Sequence, residues 1–494
     1  MKQPLFIVCT LASTLCVAGC MVGPRYQRPV TNAPQVFREA TPPDINSQER
    51  PQVVSVQGLM AEQKGVTSLG DEKWAAVFKD PTLQQLIREA LANNYDAKIA
   101  AQRVLEQQDQ VGITRAQQFP TLSGGGSYTA LGLPSGLVKR LNSGGNGNGY
   151  TASNFFAGGV SLSAAWNLDF WGLYRRQTEA ARAQLLATEW GRRMTISTVV
   201  EDVATAYLQL RTLDSELEIT KRTLEARKQS LQLTETLEQG GSGTLADVRQ
   251  AEQLLYTAAA AIPDLERQIE HEENSISILL GRNPGPIVRE ASEMNWPQPE
   301  QIPTGIPSQL LERRPDIQQA EAELLAANAN VGVAKAQLFP QVSLSAMSGV
   351  ASSQLKGLVD GKNAYWLASG NLTQTIFDGG RLRNNLRLSE AQKQEQVFAY
   401  QRTIKQAFQS VSDALIGLQK FREFREQEAN LTASAEDATR LARLRYNGGS
   451  TSYLEVLTND TNYYTAQLNL AVAQQNEALS IVQLYSALGG GWQE

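Results

Sequence analysis

The chain is organised around residues 160–239, where the spacing of apolar positions changes from a strand period to a helix period without a break. Between Val160 and Phe170, apolar residues alternate with small or polar ones, which is typical of a strand with one apolar and one polar face. After Gly172 the spacing becomes helical and continues to Gln239. A helix of about 60 residues has a length of about 90 Å. The pattern therefore predicts a strand followed directly by a helix of coiled-coil length.

The chain contains an internal repeat. Ala116-Gln117-Gln118-Phe119-Pro120 recurs as Ala336-Gln337-Leu338-Phe339-Pro340, and Phe170-Trp171-Gly172 recurs as Phe377-Asp378-Gly379. Repeated units of this kind predict a structure built from two copies of one element set. The predicted organisation is a signal peptide at 1–19, an extended segment at 20–80, a first copy at 81–283, a proline-rich linker at 284–308, a second copy at 309–489 and a tail at 490–494.

Each copy contains two alternating segments of the length of a transmembrane strand. They lie at about 120–130, 160–170, 341–350 and 366–377. Four strands cannot close a barrel, because the smallest barrels have about eight. An open sheet edge in lipid would leave backbone amide and carbonyl groups without hydrogen-bond partners. Each unpaired group would cost several kcal/mol. We therefore expect several copies of the chain to share one barrel, with 8, 12 or 16 strands for two, three or four copies.

The remaining sequence predicts long helices that turn back at glycines. Asp80 and Pro81 predict the start of a helix that continues to Gln118. In both copies a long apolar seam leads to a glycine pair, Gly240-Gly241 in the first and Gly448-Gly449 in the second. These turns are expected to lie farthest from the membrane.

The N-terminus predicts export and lipid attachment. A basic Lys2 and an apolar stretch at 5–15 precede Val17-Ala18-Gly19-Cys20, which is typical of a secretory signal peptide. The last four residues also resemble the bacterial lipobox, so Cys20 is expected to carry N-palmitoyl and S-diacylglycerol groups. The alternative is an ordinary signal peptide in which Cys20 is incidental. Met21 is not the aspartate that, in the lipoproteins this chain resembles, favours the inner membrane.

Composition gives no sign of an enzyme or of a nucleic-acid partner. The net charge is -5, and no run of five basic residues is present. The one histidine, His271, lies in a charged helical stretch and is expected to be solvated. Neither a nucleophile elbow nor a phosphate-binding loop nor a metal-binding His or Cys pair occurs in the sequence. We therefore expect no metal and no cofactor apart from the covalent lipid.

The segment Val22-Gly23-Pro24-Arg25-Tyr26-Gln27-Arg28-Pro29 after Cys20, the two copies, and the ending Leu488-Gly489-Gly490-Gly491-Trp492 together resemble the TolC family. The nearest resemblance is to its lipoprotein (NodT/OprM-like) branch of outer-membrane factors. This resemblance implies an α+β membrane protein. It implies a homotrimer whose 12-stranded β-barrel, four strands from each chain, is continuous with a 12-helix periplasmic α-barrel.

The same resemblance implies the exit duct of a tripartite efflux pump in the cell outer membrane. Its partners would be a periplasmic adaptor and an inner-membrane transporter of the RND or a similar type, and its substrates small molecules such as drugs. A type I secretion exit duct, a passive porin-like channel and a trimeric adhesin with a membrane anchor remain as alternatives. The sequence does not identify the exported compounds.

In that family the periplasmic tip is closed by polar contacts and ringed by acidic side chains. The resemblance places Tyr446 among the closing contacts and Glu455 at a ring position. A second ring acid of several relatives falls on Thr458, and Asp460 follows two residues later. An inward ring of acids in a narrow pore would attract cations. The alternative for each position is an ordinary exposed helix residue.

Overall fold

The structure is a computed structural model that describes residues 21–30, 34, 68–132, 154–289 and 307–493. Cys20 and the predicted signal peptide at 1–19 lie outside the described residues. The chain forms two compact units, each discontinuous in sequence. One comprises Met1–Gln27, Glu106–Leu186 and Ala322–Val397, and the other Arg28–Leu105, Ala187–Glu321 and Phe398–Glu494.

In the described part of the first unit, four strands form one antiparallel sheet, which confirms the prediction of four strands. Its strands are β1 (Thr121–Gly132), β2 (Asn154–Leu168), β3 (Gln341–Ser352) and β4 (Ala364–Thr373). They pair in sequence order, so that β1 and β4 form the two edges. The second strand begins six residues before Val160, and β4 ends four residues before Phe377.

The two faces of the sheet differ in polarity because successive side chains point to opposite sides. One face carries mainly apolar side chains, for example along the row Ala164, Ala346 and Ala368. The other carries hydroxyl pairs, such as Ser345 with Ser369, whose oxygen atoms are 2.7 Å apart. A sheet with this division fits a wall between lipid and a polar lumen.

Helices make up most of the remaining described chain. In order they are α1 (Trp74–Val77), α2 (Pro81–Asn93), α3 (Tyr95–Ala116), α4 (Leu173–Gln239), α5 (Leu245–Leu279), α6 (Leu310–Arg313), α7 (Pro315–Ala336), α8 (Arg381–Asn447) and α9 (Tyr453–Ala487). Both α4 and α8 have 67 residues, a length of about 100 Å. Among the described residues, no helix has both the length and the apolar character required to cross a bilayer.

The prediction of one helix from Pro81 to Gln118 was wrong, because Asn94 separates α2 from α3. Its backbone is extended, with ψ of 134°. The buried side chain accepts hydrogen bonds from the backbone of Asp96 and Ala97 and donates one to the Leu279 carbonyl, 2.9 Å away. A tertiary contact to the end of α5 and a new N-terminal cap therefore replace the continuous helix.

The core of the second unit lies where α2, α4, α5 and α9 meet. Phe78 and Tyr485 pack edge to face with ring centroids 5.6 Å apart. Both Tyr207 and Tyr485 are buried, and their hydroxyls donate to Asp80 and to the Glu72 carbonyl. Large aromatic side chains with satisfied hydroxyls provide much of the packing energy of such a core.

The segment after Cys20 is fixed to the first unit. The Val22 amide donates to the Trp171 carbonyl at 3.1 Å, and Arg176 donates back to the Val22 carbonyl at 3.1 Å. At Gly23 the φ angle is 112°, and a Cβ atom would lie 2.6 Å from Gly332 Cα. Only glycine fits this approach. Residues 22 and 23 are thus held beside the junction between β2 and α4.

The long helices of the two copies correspond at one constant offset. The helices α8 and α9 match α4 and α5 in length at a constant offset of 208 positions (381 minus 173, and 453 minus 245). Gly172 and Gly380 both precede their helices with positive φ, 81° and 86°. The structural counterpart of Gly172 is therefore Gly380, whereas the sequence motif had matched it with Gly379.

Candidate gating site at the helix turns

Two glycine turns connect the long helices in the second unit. Between α4 and α5, Gly241 has a φ of 74°, and the Gly243 amide donates to the Leu237 carbonyl at 2.9 Å. Between α8 and α9, Gly449 has a φ of 67°, and the Ser450 amide donates to the Arg445 carbonyl at 2.9 Å. Positive φ angles at glycine let each helix end abruptly and the chain reverse.

Tyr446, predicted to be a closing contact, packs at the last turn of α8. Its ring lies 5.3 Å from the ring of Tyr453 at an angle of 50°. It covers a small apolar cluster of buried side chains, namely Ala251, Ala442, Tyr453, Val456 and Leu457. Burial and the nearby charge of Asp247 raise the pKa of Tyr446. Within this chain Tyr446 holds α8 against α9 and α5.

Glu455, predicted to be a ring acid, is paired across the turn. Its Oε1 accepts a hydrogen bond from Arg445 at 2.7 Å, and its Oε2 accepts one from the Thr451 hydroxyl. The ion pair is half-exposed, so its contribution to stability is about 0–1 kcal/mol. The pair links the end of α8 to the start of α9.

Thr458 lies on the exposed side of α9. Its hydroxyl donates to the Leu454 carbonyl one turn earlier, 2.9 Å away. This bond satisfies the hydroxyl within its own helix.

Asp460 joins three helices through ionic hydrogen bonds. It is buried, with 9% of its surface exposed. Its Oδ2 accepts from Arg227 Nε on α4 at 3.1 Å, and its Oδ1 accepts from Arg443 on α8 at 2.8 Å. Each carboxylate oxygen thus has its own cationic donor. Of the four candidates, Asp460 has the strongest electrostatic connection to other helices.

Arg227 is the buried partner of this group. Only 4% of its side chain is exposed. It also donates to the Leu254 carbonyl at 2.9 Å, and its guanidinium lies over the Tyr464 ring at 5.1 Å. The carboxylate, the carbonyl and the aromatic face around Arg227 compensate almost all of the cost of burying its charge. Removing the carboxylate would leave the charge without its main partner.

Arg227 and Arg443 were not predicted from the sequence, although the sequence contained a signal for Arg227. Thr220, Arg227 and Thr234 are seven residues apart on α4, and all three are buried. This spacing continues the apolar seam of the helix. A charged residue at a seam position predicts a buried ionic partner. Arg443 has no comparable signal, because its side chain is 42% exposed.

Comparisons with known proteins agree with this architecture. The sequence profile of the family described as Outer membrane efflux protein matches residues 86–282 and 306–490. The probable efflux pump outer membrane protein TtgC of Pseudomonas putida is 35% identical over 432 residues, 87% of this chain and 88% of that protein. The cation efflux system protein CusC of Escherichia coli O6:H1 is 32% identical over 480 residues, 97% of each chain.

A solved structure extends the likeness to three dimensions. The open state of the MtrE outer membrane channel of Neisseria gonorrhoeae superposes with a TM-score of 0.79 at 27% identity, covering 96% of this chain and 99% of that one. The two profile matches leave out residues 283–305, and all of these except residue 283 lie within the linker predicted at 284–308. The chain therefore belongs to the outer membrane efflux protein family, a family of channels and not of enzymes, and is an efflux channel of the outer membrane.

Proposed function

We propose that three copies of the chain form one channel that is the exit duct of a tripartite efflux pump. The observation that carries this proposal is the four-stranded sheet with two open edges and one apolar face. Such a sheet is stable in lipid only when its edges are paired. Three copies supply 12 strands, and the long helices α4, α5, α8 and α9 supply the periplasmic duct.

The partners we propose are a periplasmic adaptor and an inner-membrane transporter of the RND or a similar type. Support comes from the relatives, since TtgC is described as part of an efflux pump and CusC as part of a cation efflux system. The adaptor would contact the turns at 240–243 and 447–450, where both helix pairs end. The exported compounds would be small molecules such as drugs, with selectivity in the transporter.

We also propose that acyl groups on Cys20 anchor the chain. Met21 lies against Gly172, where a Cβ atom would be 2.7 Å from Met21 Cγ. This contact is four residues beyond the end of β2 at Leu168. Lipid attached at Cys20 would therefore enter the membrane beside the strand ends, which keeps the anchor and the sheet in the same bilayer.

The gate we propose is the group of contacts around Asp460 and Tyr446. Arg227, Arg443 and Asp460 tie α4, α8 and α9 together close to the turns. Loss of these contacts would free the α8–α9 hairpin to move away from α4. Glu455 would contribute less to closing the gate, because its partner Arg445 is half-exposed. Thr458 would also contribute less, because its hydroxyl bonds within its own helix.

Reconstitution tests the proposal. Native mass spectrometry of the detergent-extracted protein should give three chains, and planar bilayers should show a small resting conductance. Export by cells should require an adaptor and a transporter that are expressed together with the channel. Large conductance and uptake without any partner would favour a passive porin-like channel, and dependence on a polypeptide-exporting transporter would favour a type I secretion duct.

A further inference from the structure

The internal duplication specifies how the two sheet edges meet. Within each copy the strands pair in the same way, since Thr121 pairs with Ala165 in the first copy and Gln341 with Thr373 in the second. These pairs place β3 220 positions after β1 (341 minus 121) and β4 208 positions after β2 (373 minus 165). The structural equivalence of the strands is therefore fixed to the residue.

Inside the chain, the copies meet through β2 and β3. Leu168 pairs with Val342, and the ladder continues to Gly158 with Ser352. In a closed ring of equivalent copies, β4 of one chain pairs with β1 of the next chain in the register in which β2 pairs with β3. Adding 208 to the β2 residue and subtracting 220 from the β3 residue converts one ladder into the other.

We propose that β4 pairs with β1 of a second copy in the register that joins Ile376 to Leu122 and Trp366 to Gly132. The inference rests on the proposed ring and adds its register. Each residue of β4 and its partner in the next chain have numbers that add to 498, as in 376 plus 122. On the polar face the same rule joins Asn371 to Ser127.

The side chains in this register are complementary. Tyr128 lies opposite Gly370, and Leu372 lies opposite Gly126. Within the chain Tyr128 already pairs with a glycine, Gly158, where a Cβ atom would be 3.6 Å from its ring. A shift by one residue would exchange the apolar and polar faces. A shift by two residues would place Gly370 opposite Gly126 or Ala130. The ring of Tyr128 would then no longer cover Gly370.

The register also accounts for the end of β4 at Thr373. Residues 166–168 of β2 lie beyond its pairing with β1, which ends at Ala165, and are paired with β3 alone. Their equivalents are residues 374–376, for which β3 offers no partner beyond Gln341. Pairing with the next chain would extend β4 to Ile376, which is 97% exposed in one chain. Three more residues then join the strand on assembly.

Cysteine cross-linking tests the register. In the full-length protein, Asn371→Cys combined with Ser127→Cys should give disulfide-linked oligomers on oxidation with copper phenanthroline. The two positions lie on opposite edges of one sheet, about 14 Å apart across three strand spacings. A disulfide requires Cβ atoms about 4 Å apart, so cross-linking reports contact between chains.

Two matched pairs shifted by two residues are the controls, namely Asn371→Cys with Thr129→Cys and Ser369→Cys with Ser127→Cys. Diagonal neighbours are about 7–8 Å apart, so both pairs should remain largely monomeric on a denaturing, non-reducing gel. Single-cysteine variants should not cross-link, which excludes a contribution from Cys20. Stronger cross-linking of either shifted pair would overturn the register while leaving the ring intact.

Native mass spectrometry of each variant separates the remaining outcomes. Oligomers without cross-linking of any pair would mean that the edges do not pair, which refutes the register. Monomers alone would refute both the ring and the register. As a second measurement, the amides of residues 374–376 should exchange hydrogen slowly in the assembled wild-type channel. Exchange as fast as that of residues 356–363, in the connection between β3 and β4, would contradict the extension of β4.

Discussion

The substitution Asp460→Asn removes the charge that compensates Arg227 while keeping the shape of the side chain. In the arrangement that the structure describes, which the proposed gate takes as the closed state, Arg227 would remain buried with 4% of its side chain exposed. Breaking a buried ion pair by removing one partner costs about 3–5 kcal/mol. The bond from Arg443 adds about 0–1 kcal/mol, because that side chain is 42% exposed and screened by water. We take the lower end of the range for a broken buried pair, about 3 kcal/mol, as the free energy by which Asp460→Asn destabilises the closed state.

This loss favours any conformation in which Arg227 reaches water. If the α8–α9 hairpin moves away from α4, the uncompensated charge becomes solvated and the cost disappears. Because every 1.4 kcal/mol changes an equilibrium tenfold, about 3 kcal/mol corresponds to about a hundredfold rise in the open fraction. The assay is the open probability of single channels in planar bilayers at low salt.

Two variants make this experiment specific. Asp437→Asn is the control, because Asp437 pairs with Arg440 on the same helix and both side chains are more than half exposed. It should leave the open probability unchanged. Arg227→Leu combined with Asp460→Leu should restore a closed channel, since apolar residues can replace a buried pair without penalty. An Asp460→Asn channel that assembles normally and opens no more often than wild type would show that the bonds of Asp460 do not hold the channel closed.

The other predictions concern the anchor, the turn and a buried acid. Cys20→Ser should remove the palmitate label while the channel still assembles in the membrane, and fractionation of cells labelled with palmitate checks this; equal labelling would contradict it. Glu455→Ala should change open probability less than about fivefold, because its pair with Arg445 is half-exposed. Tyr446→Phe should change it little, since the ring contact with Tyr453 remains, whereas Tyr446→Ala should raise it.

Glu216→Gln should stabilise the protein at neutral pH, because burial raises the pKa of Glu216. An acid with a raised pKa in the folded state favours folding when protonated, and this contribution is lost as pH rises through the folded pKa. The melting temperatures of wild type and variant should therefore converge at acidic pH and separate at neutral pH; a constant difference would argue against the burial of this carboxyl.

The strands and long helices could be predicted because each has a local periodic signal. Alternation in residues 160–168 and helical spacing after Gly172 arise from one-sided burial, which needs no knowledge of distant residues. The break at Asn94 could not be predicted in this way, since its side chain bonds to the Leu279 carbonyl, 185 positions away.

Only part of the candidate site could be predicted from the sequence. Tyr446 and Glu455 were suggested by family resemblance, and their place in the gate stays a prediction. The connection of Asp460 to Arg227 spans 233 positions, so no local pattern contains it. The buried seam position of Arg227 was visible, but periodicity does not identify which acid on another helix lies opposite.

In the proposed channel, one chain supplies only part of the membrane pore and identical copies supply the remainder. Native mass spectrometry of the detergent-extracted wild-type protein measures this stoichiometry. We expect a single species with three times the mass of the mature chain. A stable monomer that alone forms conducting channels in bilayers would contradict it.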